Sequence, residues 1–154
     1  MRIETERLWL YPISNEEMRQ LIEDEPEDEM KQAYTEMLQG CLDNPEKRIW
    51  NAVWFMELKE RPGIIVGDFC FKGIGLDGMV EIGYGLKQEY RKNGYMTEAV
   101  KAVSNWALEQ EEVTRVEAEV DSENTPSLKV LERSGFVPLG VIGEEGPRFV
   151  FVHR

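Results

Sequence analysis

A basic, glycine-containing loop stands out at residues 88–99, which read QEYRKNGYMTEA. Arg91 and Lys92 precede Gly94, and a helical pattern of apolar residues follows directly. The first amide groups of a helix are unpaired and carry partial positive charge, so an anion such as a phosphate binds there. Glycine lets a ligand approach the backbone closely. The loop therefore predicts a phosphate cradle, with an ordinary loop-to-helix turn as the alternative.

Two other segments carry polar or glycine positions that chemistry could use. The strand before the basic loop contains Gly83 and Gly85. Glycines inside a strand indicate a bulge or the close approach of another backbone or ligand. The later segment NTPSLKVLERSGF, residues 124–136, opens with Asn124 and Ser127 at the start of a predicted helix. Asn124 could help to cap that helix.

Composition limits the classes of function. The 154 residues include 18 Lys and Arg against 30 Asp and Glu, giving a net charge of −12. Nucleic-acid binding relies on basic contacts with phosphates, so we expect no nucleic-acid partner. No apolar run approaches the roughly 18 residues of a membrane span, and the charged start lacks a signal-peptide core. We therefore expect a cytoplasmic protein. Cys41, Cys70 and His153 show no spacing typical of metal or catalytic sites.

Hydrophobic periodicity predicts a mixed α/β fold in one domain over residues 1–154. Ser14 and Glu17 have the pattern of a capping box, and Thr125 before Pro126 has that of a second helix start. Pro26 breaks the first helical segment. In chain order we expect a strand at 3–11, two helices between residues 14 and 40, strands at 50–58, 64–71 and 79–86, a helix at 94–109, a strand at 113–120, a helix at 125–135, and a hairpin formed by 137–142 and 148–152.

The segments EIGYGLKQEYRKNGYMTEAV and NTPSLKVLERSGF together resemble the GNAT superfamily of acyl-CoA-dependent N-acetyltransferases. The chain is most similar to the branch that acetylates the N-termini of ribosomal proteins, and its opening TERLWLYP is also similar to that branch. The resemblance implies a central, mostly antiparallel sheet of about six or seven strands, whose middle strands splay apart, with about four helices. It also implies acetyl-CoA as the acyl donor.

The resemblance assigns cofactor-binding positions to the loop and to the strand before it. Arg91 and Gly94 match the family's pyrophosphate loop, whereas Met96 stands where a small residue is expected. The strand backbone would pair with the pantetheine arm like an added strand. A backbone N–H near Leu86 would bind the developing oxyanion. The implied cofactor-binding residues are Tyr84, Gly85, Leu86, Arg91, Lys92, Asn93, Gly94, Tyr95, Met96, Thr97, Asn124 and Ser127.

Acetyl transfer to an amine needs a proton acceptor, because an alkyl amine of pKa about 10 is mostly charged at neutral pH. Glu81, on the strand that would hold the thioester, is the predicted base, and Glu119 is the second candidate. Glu81 could instead be a solvent-facing strand residue. Many family members use a Tyr as the acid that protonates the leaving thiolate, at the position of Leu131. Solvent or one of four hydroxyls would have to serve instead: Tyr84, Tyr95, Ser127 or Ser134.

The resemblance implies that the acceptor side lies near the acidic run EDEPEDE at residues 23–29, where the family builds its acceptor-site helices. That run either attracts a cationic acceptor or forms a solvated face. Nearby aromatic residues either line an acceptor pocket or belong to the core: Tyr34, Trp50, Trp54 and Phe55.

The sequence thus predicts an N-acetyltransferase that moves an acetyl group from acetyl-CoA directly to a primary amine. A protein N-terminus and a small amine are both open as acceptors, and so is a homodimer. Two alternatives remain. One is an acyl-CoA-binding module without turnover, and the other is an acidic domain that holds a basic protein partner.

Overall fold

A sheet of eight strands forms the centre of the computed structural model, which describes residues 1–152 and so leaves His153 outside. The strands lie in the order β1-β2-β3-β4-β5-β6-β8-β7, and within the sheet only β5 and β6 run parallel. The mixed α/β, mostly antiparallel prediction is confirmed. The strands are β1 (Ile3–Glu4), β2 (Leu8–Pro12), β3 (Val53–Leu58), β4 (Ile65–Ile74), β5 (Met79–Leu86), β6 (Arg115–Glu119), β7 (Phe136–Ile142) and β8 (Pro147–Phe151).

Helices cover both faces of the sheet. The first pair is α1 (Asn15–Asp24) and α2 (Asp28–Asp43), and the second pair is α3 (Tyr95–Leu108) and α4 (Thr125–Ser134). Short 3-10 helices lie at Pro45–Trp50 and Gln88–Tyr90. Because side chains alternate along a strand, one set points to the side of the sheet that carries α1 and α2, and the other to the side that carries α3 and α4. We call these the α1–α2 face and the α3–α4 face. Among residues 1–152, no helix is both long and apolar enough to cross a bilayer.

The larger core fills the α3–α4 face and is rich in aromatic rings. Trp54 stacks on Phe69 with ring centroids 5.4 Å apart, and Trp50 meets Phe71 edge-on at 5.0 Å. The predicted apolar stripe of α3 packs against these rings. Trp50 and Trp54 are at most 1% exposed. They are therefore core residues and do not line an acceptor pocket.

Three local predictions differ from the structure. The strand expected at 3–11 is a hairpin, because the chain turns after Glu4 and the Thr5 amide donates to the Leu8 carbonyl. This adds a strand to the expected sheet. The cap of α4 is Asn124, whose Oδ1 accepts from the Ser127 amide at 3.3 Å, so Thr125 is already helical. Finally, β4 and β5 stay in regular register past Gly83 and Gly85, so these glycines do not mark a bulge.

The predicted capping box of α1 is confirmed and gives a stability test. Ser14 Oγ accepts from the Glu17 amide, and the Glu17 carboxylate accepts from the Ser14 amide, both at 3.0 Å. We expect Ser14→Ala to lower the free energy of unfolding by about 1 kcal/mol, because one helix amide loses its acceptor. Ser14→Asp keeps an acceptor and should cost much less. Urea unfolding of the three proteins measures both effects, and equal losses for the two variants would contradict the capping role.

Candidate functional site

The two parallel strands in the middle of the sheet separate after a short paired stretch. β5 and β6 are in register at Met79↔Arg115, Val80↔Val116 and Glu81↔Glu117. After Glu81, β5 continues to Leu86, whereas β6 follows β8. Within the described residues, the second half of β5 therefore pairs only with β4, and its other edge opens into a gap. We call this gap the β5 slot.

The backbone amides of Tyr84 and Leu86 point into the β5 slot. β4 and β5 pair regularly from Gly67↔Leu86 to Phe71↔Ile82. Just beyond, the Lys87 amide donates to the Val66 carbonyl at 3.1 Å. Backbone groups alternate in direction along an antiparallel strand, so residues 83 and 85 bond to β4 while residues 84 and 86 face the slot. The separation of β6, rather than the expected bulge, frees the Leu86 N–H.

The basic loop leads into the N-terminus of α3, as the sequence indicated. Gly94 immediately precedes the helix with a φ of +76°, and Lys92 has a φ of +70°. No side chain caps α3 among the residues that the structure describes. The amides of the first turn, residues 95–97, also have no carbonyl partner within the helix. The loop thus presents open N–H donors and exposed basic side chains, which is the geometry of an anion site.

Arg7, from the turn between β1 and β2, braces this loop, and the sequence analysis did not single it out. Its Nη1 donates to the Asn93 carbonyl at 2.8 Å, and its guanidinium lies 4.4 Å from the centre of the Tyr95 ring. Its Nε donates to Glu98 Oε1 at 2.7 Å. A Cβ atom on Gly94 would lie 3.4 Å from Arg7 Nη2. Arg7 therefore holds the loop in place, while Glu98 in the first turn of α3 balances its charge.

Met96, the departure from the expected loop pattern, does not fill the loop. Its side chain is 3% exposed and packs in the core of the α3–α4 face. The bulk of the residue is therefore turned away from the exposed residues 91–94. What Met96 can offer an anion is its backbone N–H.

Tyr84 connects the β5 slot with the first turn of α4. Its hydroxyl donates to the Ser127 carbonyl at 3.1 Å. Burial raises the pKa of Tyr84 to about 12, so the hydroxyl keeps its proton at neutral pH. Asn124 is exposed and caps α4, which is the helix-capping alternative that the sequence left open. Ser127 and Asn124 thus lie at the end of α4 that Tyr84 contacts.

Glu81 lies in a cluster of charged residues on the α1–α2 face. Its Oε2 accepts from Lys72 Nζ at 2.9 Å, and its Oε1 accepts from Arg148 Nη2 at 3.1 Å. Arg148 also donates to Glu117 Oε1 at 2.9 Å and to Glu119 Oε1 at 2.7 Å. Each carboxylate oxygen of Glu81 therefore has a cation beside it. Its role as the base stays a prediction.

Glu119, the second candidate base, is a weaker proton acceptor than an ordinary glutamate. The Glu145 amide donates to it at 2.8 Å, and Arg148 donates to its other oxygen. These bonds hold the pKa of Glu119 below its usual value. A carboxylate with a lowered pKa holds a proton poorly, so its environment does not favour general-base chemistry.

Another carboxylate, Asp68 of β4, lies directly across from Gly85, and the sequence analysis did not select it. Its Oδ2 accepts a hydrogen bond from the Tyr34 hydroxyl at 3.0 Å, which links β4 with α2. A Cβ atom on Gly85 would lie 3.6 Å from Asp68 Oδ1, with no closer neighbour. Asp68 thus lies beside the exposed Gly85 of β5, the strand that lines the β5 slot. The available sequence signal was one acidic residue inside the apolar strand IIVGDFCF.

A cleft of about 480 Å³ lies on the same face of the sheet. Residues from α2, β4 and the β7–β8 turn line it, including Glu36, Met37, Cys70, Lys72 and Glu145. Burial raises the pKa of the Cys70 thiol to about 11. The cleft therefore combines apolar surface with charges of both signs, and its cysteine is a neutral thiol at physiological pH.

The position at which many family members use a Tyr as an acid belongs to the hydrophobic core in this chain. Leu131 is completely buried between α4 and the sheet. Ser134 is buried as well, and its Oγ donates to the Val130 carbonyl at 2.6 Å. The Tyr95 ring lies under Arg7. Of the four hydroxyls that the sequence offered, those of Tyr84 and Ser127 lie at the contact between β5 and α4.

Comparisons with solved structures find the same fold in acetyltransferases. The acetyl transferase from Salmonella typhimurium that modifies the N-terminal serine of 50S ribosomal subunit protein L7/L12 has a TM-score of 0.75 at 13% identity, covering 100% of both chains. RimL, a ribosomal L7/L12 α-N-protein acetyltransferase in complex with coenzyme A, has a TM-score of 0.75 at 14% identity, covering 99% of this chain and 98% of that chain. At these identities the likeness shows a shared fold.

Sequence comparison adds the family. The uncharacterized N-acetyltransferase YjdG of Bacillus subtilis is 34% identical over 84 residues, which are 54% of this chain and 50% of YjdG. The match thus spans about half the length of that relative. The family model of the acetyltransferase (GNAT) domain matches residues 5–137, which include Arg7, β5, the basic loop and α4. The chain therefore belongs to the GNAT acetyltransferase family.

Proposed function

We propose that this protein is an acetyl-CoA-dependent N-acetyltransferase that moves the acetyl group directly to a primary amine. The observation that carries this proposal is the position of the uncapped N-terminus of α3, which follows β5 and its unpaired edge along the chain. GNAT acetyltransferases use acetyl-CoA, and the neighbour RimL is described in complex with coenzyme A. The unpaired strand edge fits an extended chain of amides, and the anion site that follows it in the chain fits a pyrophosphate. Coenzyme A contains both of these parts.

The residues present suit each part of this ligand. The amides of Gly94, Tyr95, Met96 and Thr97 would donate to the pyrophosphate. Arg91 and Lys92 would add positive charge, and Arg7 and Asn93 would shape the loop. The slot-facing backbone of Tyr84, Gly85 and Leu86 would pair with the pantetheine arm. Asn124 and Ser127 would contact it from α4. Bound acetyl-CoA supplies a thioester carbonyl, and the Leu86 N–H would donate to its oxygen as negative charge develops there.

Direct transfer is supported by the state of the two cysteines. A mechanism through an acetylated cysteine needs a thiolate, because the thiolate is the nucleophile. Burial raises the pKa of Cys70 to about 11, and burial also raises the pKa of Cys41. Both groups are neutral thiols at physiological pH, and Cys41 is only 1% exposed. The amine itself is therefore the nucleophile that this site favours.

The acceptor would approach from the α1–α2 face. On that face the nearest atom to where a Gly85 Cβ would lie is Asp68 Oδ1, at 3.6 Å, and the cleft on the same face of the sheet carries Glu36 and Glu145. Carboxylates beside the entry favour a cationic amine over a neutral or anionic acceptor. The RimL structures are described as acting on the ribosomal protein L7/L12, which favours a protein N-terminus over a small amine as the acceptor here.

Calorimetric titration with acetyl-CoA tests the proposed function. We expect micromolar binding, with weaker binding of dephosphorylated and desulfo analogues, followed by turnover of a peptide or small amine in a thiol-release assay. Binding without turnover of any amine would favour an acyl-CoA-binding module. Absence of binding, together with salt-sensitive binding of a basic protein, would favour the acidic interaction domain.

A further inference from the structure

We propose that Asp68, held by Tyr34, is the catalytic residue that takes the proton from the acceptor amine. This inference rests on the proposed function above and deepens it. It departs from the sequence-based prediction, in which Glu81 has this role. Four observations carry it: the location of Asp68, the state of its two oxygens, its electrostatic surroundings, and the contrasting engagement of Glu81.

The location of Asp68 brings a carboxylate to the side from which the amine would arrive. Asp68 and Gly85 are direct partners across β4 and β5, so both face the α1–α2 side. Gly85 has no side chain, and Asp68 Oδ1 is the nearest atom to where its Cβ would lie, at 3.6 Å. Leu86, whose N–H faces the slot, is the next residue in the chain. An amine beside Gly85 would therefore lie between the oxyanion donor and Asp68.

The two oxygens of Asp68 have different roles. Oδ2 accepts the hydrogen bond from Tyr34, a residue of α2 that is 7% exposed. Oδ1 accepts no hydrogen bond from the described residues, so it is available to an acceptor amine. Tyr34 thus fixes Oδ2, while Oδ1 remains available to the acceptor amine. This is the arrangement that a general base requires, since its orientation is set by a neighbour.

The surroundings of Asp68 make it a better proton acceptor than an exposed aspartate. Burial raises its pKa, and Glu25 at the end of α1 raises it further. The Tyr34 hydrogen bond and the charge of Lys87 act in the opposite direction, but the net pKa stays above the usual value. Cys70, on the same strand, is a neutral thiol at physiological pH and adds no charge.

Glu81 differs from Asp68 in the partners of its carboxylate oxygens. Both of its oxygens are within 3.1 Å of cationic nitrogens, on Lys72 and Arg148. Neither oxygen of Glu81 is therefore without a partner, unlike Oδ1 of Asp68. Asp68 carries no ion pair among the described residues, and its Tyr34 partner is neutral because burial, followed by the nearby Asp68 charge, raises the pKa of that phenol.

The proposed step balances without another reactant. The acceptor ammonium first gives one proton to Asp68 Oδ1, and Asp68 passes that proton to solvent. The neutral amine nitrogen then forms a bond to the thioester carbonyl carbon, and a second proton passes from that nitrogen to Asp68 Oδ1. The carbon–sulfur bond breaks, and its electron pair leaves with sulfur. The thiolate takes a proton from solvent, and Asp68 releases its own proton to solvent. The products are the acetylated amine and free coenzyme A.

Substitution of Asp68 gives the first test. We expect Asp68→Asn to lower kcat by about 100-fold or more, because an amide cannot accept the proton. Acetyl-CoA affinity and thermal stability should stay close to wild type, since asparagine still accepts the Tyr34 hydrogen bond. A second variant, Gly85→Ala, has room for its methyl group at 3.6 Å from Asp68 Oδ1 and should fold. It should lose at least tenfold in kcat/KM for the amine.

The pH profile separates a catalytic from a structural role. In the wild type, kcat should rise with pH through a limb that lies above the ordinary aspartate value of about 3.9. Tyr34→Phe removes a hydrogen bond that stabilises the charged carboxylate, so it should move this limb upward by about one pH unit. A loss of packing alone would not move the limb.

A matched pair on the same face of the sheet provides the control. Tyr11 of β2 donates to Glu57 Oε1 of β3 at 2.7 Å, and β4 separates this pair from β5. Tyr11→Phe and Glu57→Gln remove equivalent atoms. They should leave kcat and the pH limb at their wild-type values.

The outcomes separate this inference from the proposed function. Wild-type turnover that survives Asp68→Asn, or a limb that disappears in Glu81→Gln and persists in Asp68→Asn, would overturn the role of Asp68 alone. A wild-type protein that neither binds acetyl-CoA nor acetylates any amine would overturn the proposed function as well. Loss of kcat and of the limb in Asp68→Asn, with acetyl-CoA affinity retained, would establish the inference.

Discussion

Replacing Gly94 with leucine is expected to weaken acetyl-CoA binding by about 100-fold or more. The change both strains the backbone at the α3 N-terminus and adds bulk beside its open amides. Gly94 has a φ of +76°, a conformation that costs a side-chain-bearing residue about 1–2 kcal/mol. Its new Cβ would lie 3.4 Å from Arg7 Nη2. The rest of the leucine side chain would then cover the open amides of residues 95–97. Titration calorimetry with acetyl-CoA measures the effect.

Gly63 offers a matched control for the backbone strain. It has a φ of +91° in the β3–β4 turn, and a Cβ atom there would meet nothing within 4 Å. Gly63→Leu should therefore lose a similar amount of stability to Gly94→Leu while its acetyl-CoA affinity stays unchanged. Equal affinities for the two variants would mean that residues 91–97 do not bind the pyrophosphate, and the cofactor assignment would then fail.

Features of the fold that depend on neighbouring residues were predictable from the sequence. The capping box of Ser14 and Glu17 spans one turn of helix, and the stripe on α3 repeats within fourteen residues. Such patterns fix local structure because the interacting groups are already close along the chain. The basic loop before α3 belongs to the same class, so its location at a helix N-terminus was also correct.

The contacts that the sequence did not reveal join distant segments. Arg7 meets Asn93, and Asp68 meets Tyr34, across separations that no period in the sequence marks. Asp68 looked like one acidic residue in an apolar strand, and only the register with Gly85 shows what it faces. Glu81 lies on the same face of the sheet as Asp68, but its ion pairs depend on Lys72 from β4 and on Arg148 from β8. The choice of proton acceptor therefore depends on tertiary contacts rather than on a motif.

Among the charged side chains of the α1–α2 face, Arg148 is the one whose removal we expect to lower the free energy of unfolding most. It donates to Glu81, Glu117 and Glu119, which lie on adjacent strands. Its own side chain is 18% exposed and that of Glu117 is 8% exposed. We expect Arg148→Met to lower the free energy of unfolding by about 3 kcal/mol, because it leaves partly buried carboxylates without their shared cation. Urea unfolding at neutral pH measures this loss.

Arg115 is the matched control for the loss of one positive charge. It pairs with Glu117 and with Asp77, but its side chain is 42% exposed and that of Asp77 is 59% exposed. Solvent screens such pairs strongly, so Arg115→Met should cost only a fraction of the Arg148→Met loss. The two variants have the same net charge. A similar loss in both would show that overall charge, rather than the burial of the Arg148 cluster, sets the effect.

The stability difference between wild type and Arg148→Met should depend on pH in a definite direction. In the wild type, hydrogen bonds from Arg115 and Arg148 outweigh burial and hold the pKa of Glu117 below its usual value. The stabilisation is therefore complete above the unfolded value of about 4.3 and is lost as pH falls through the lower folded pKa.

In Arg148→Met, Glu117 keeps its hydrogen bond from Arg115 and Glu119 keeps that from the Glu145 amide, but both lose the bonds from Arg148, so their folded pKa values move up toward the unfolded ones. The stabilisation that depends on Arg148 is therefore absent from the variant at every pH, whereas the wild type has it at neutral pH and loses it as pH falls below about 4.3. The gap in the free energy of unfolding between wild type and Arg148→Met should therefore narrow as these carboxylates become protonated, and the smaller gap for Arg115→Met should narrow by less. A gap that stays constant with pH would mean that Arg148 stabilises the sheet through the packing of its aliphatic chain and not through its charge.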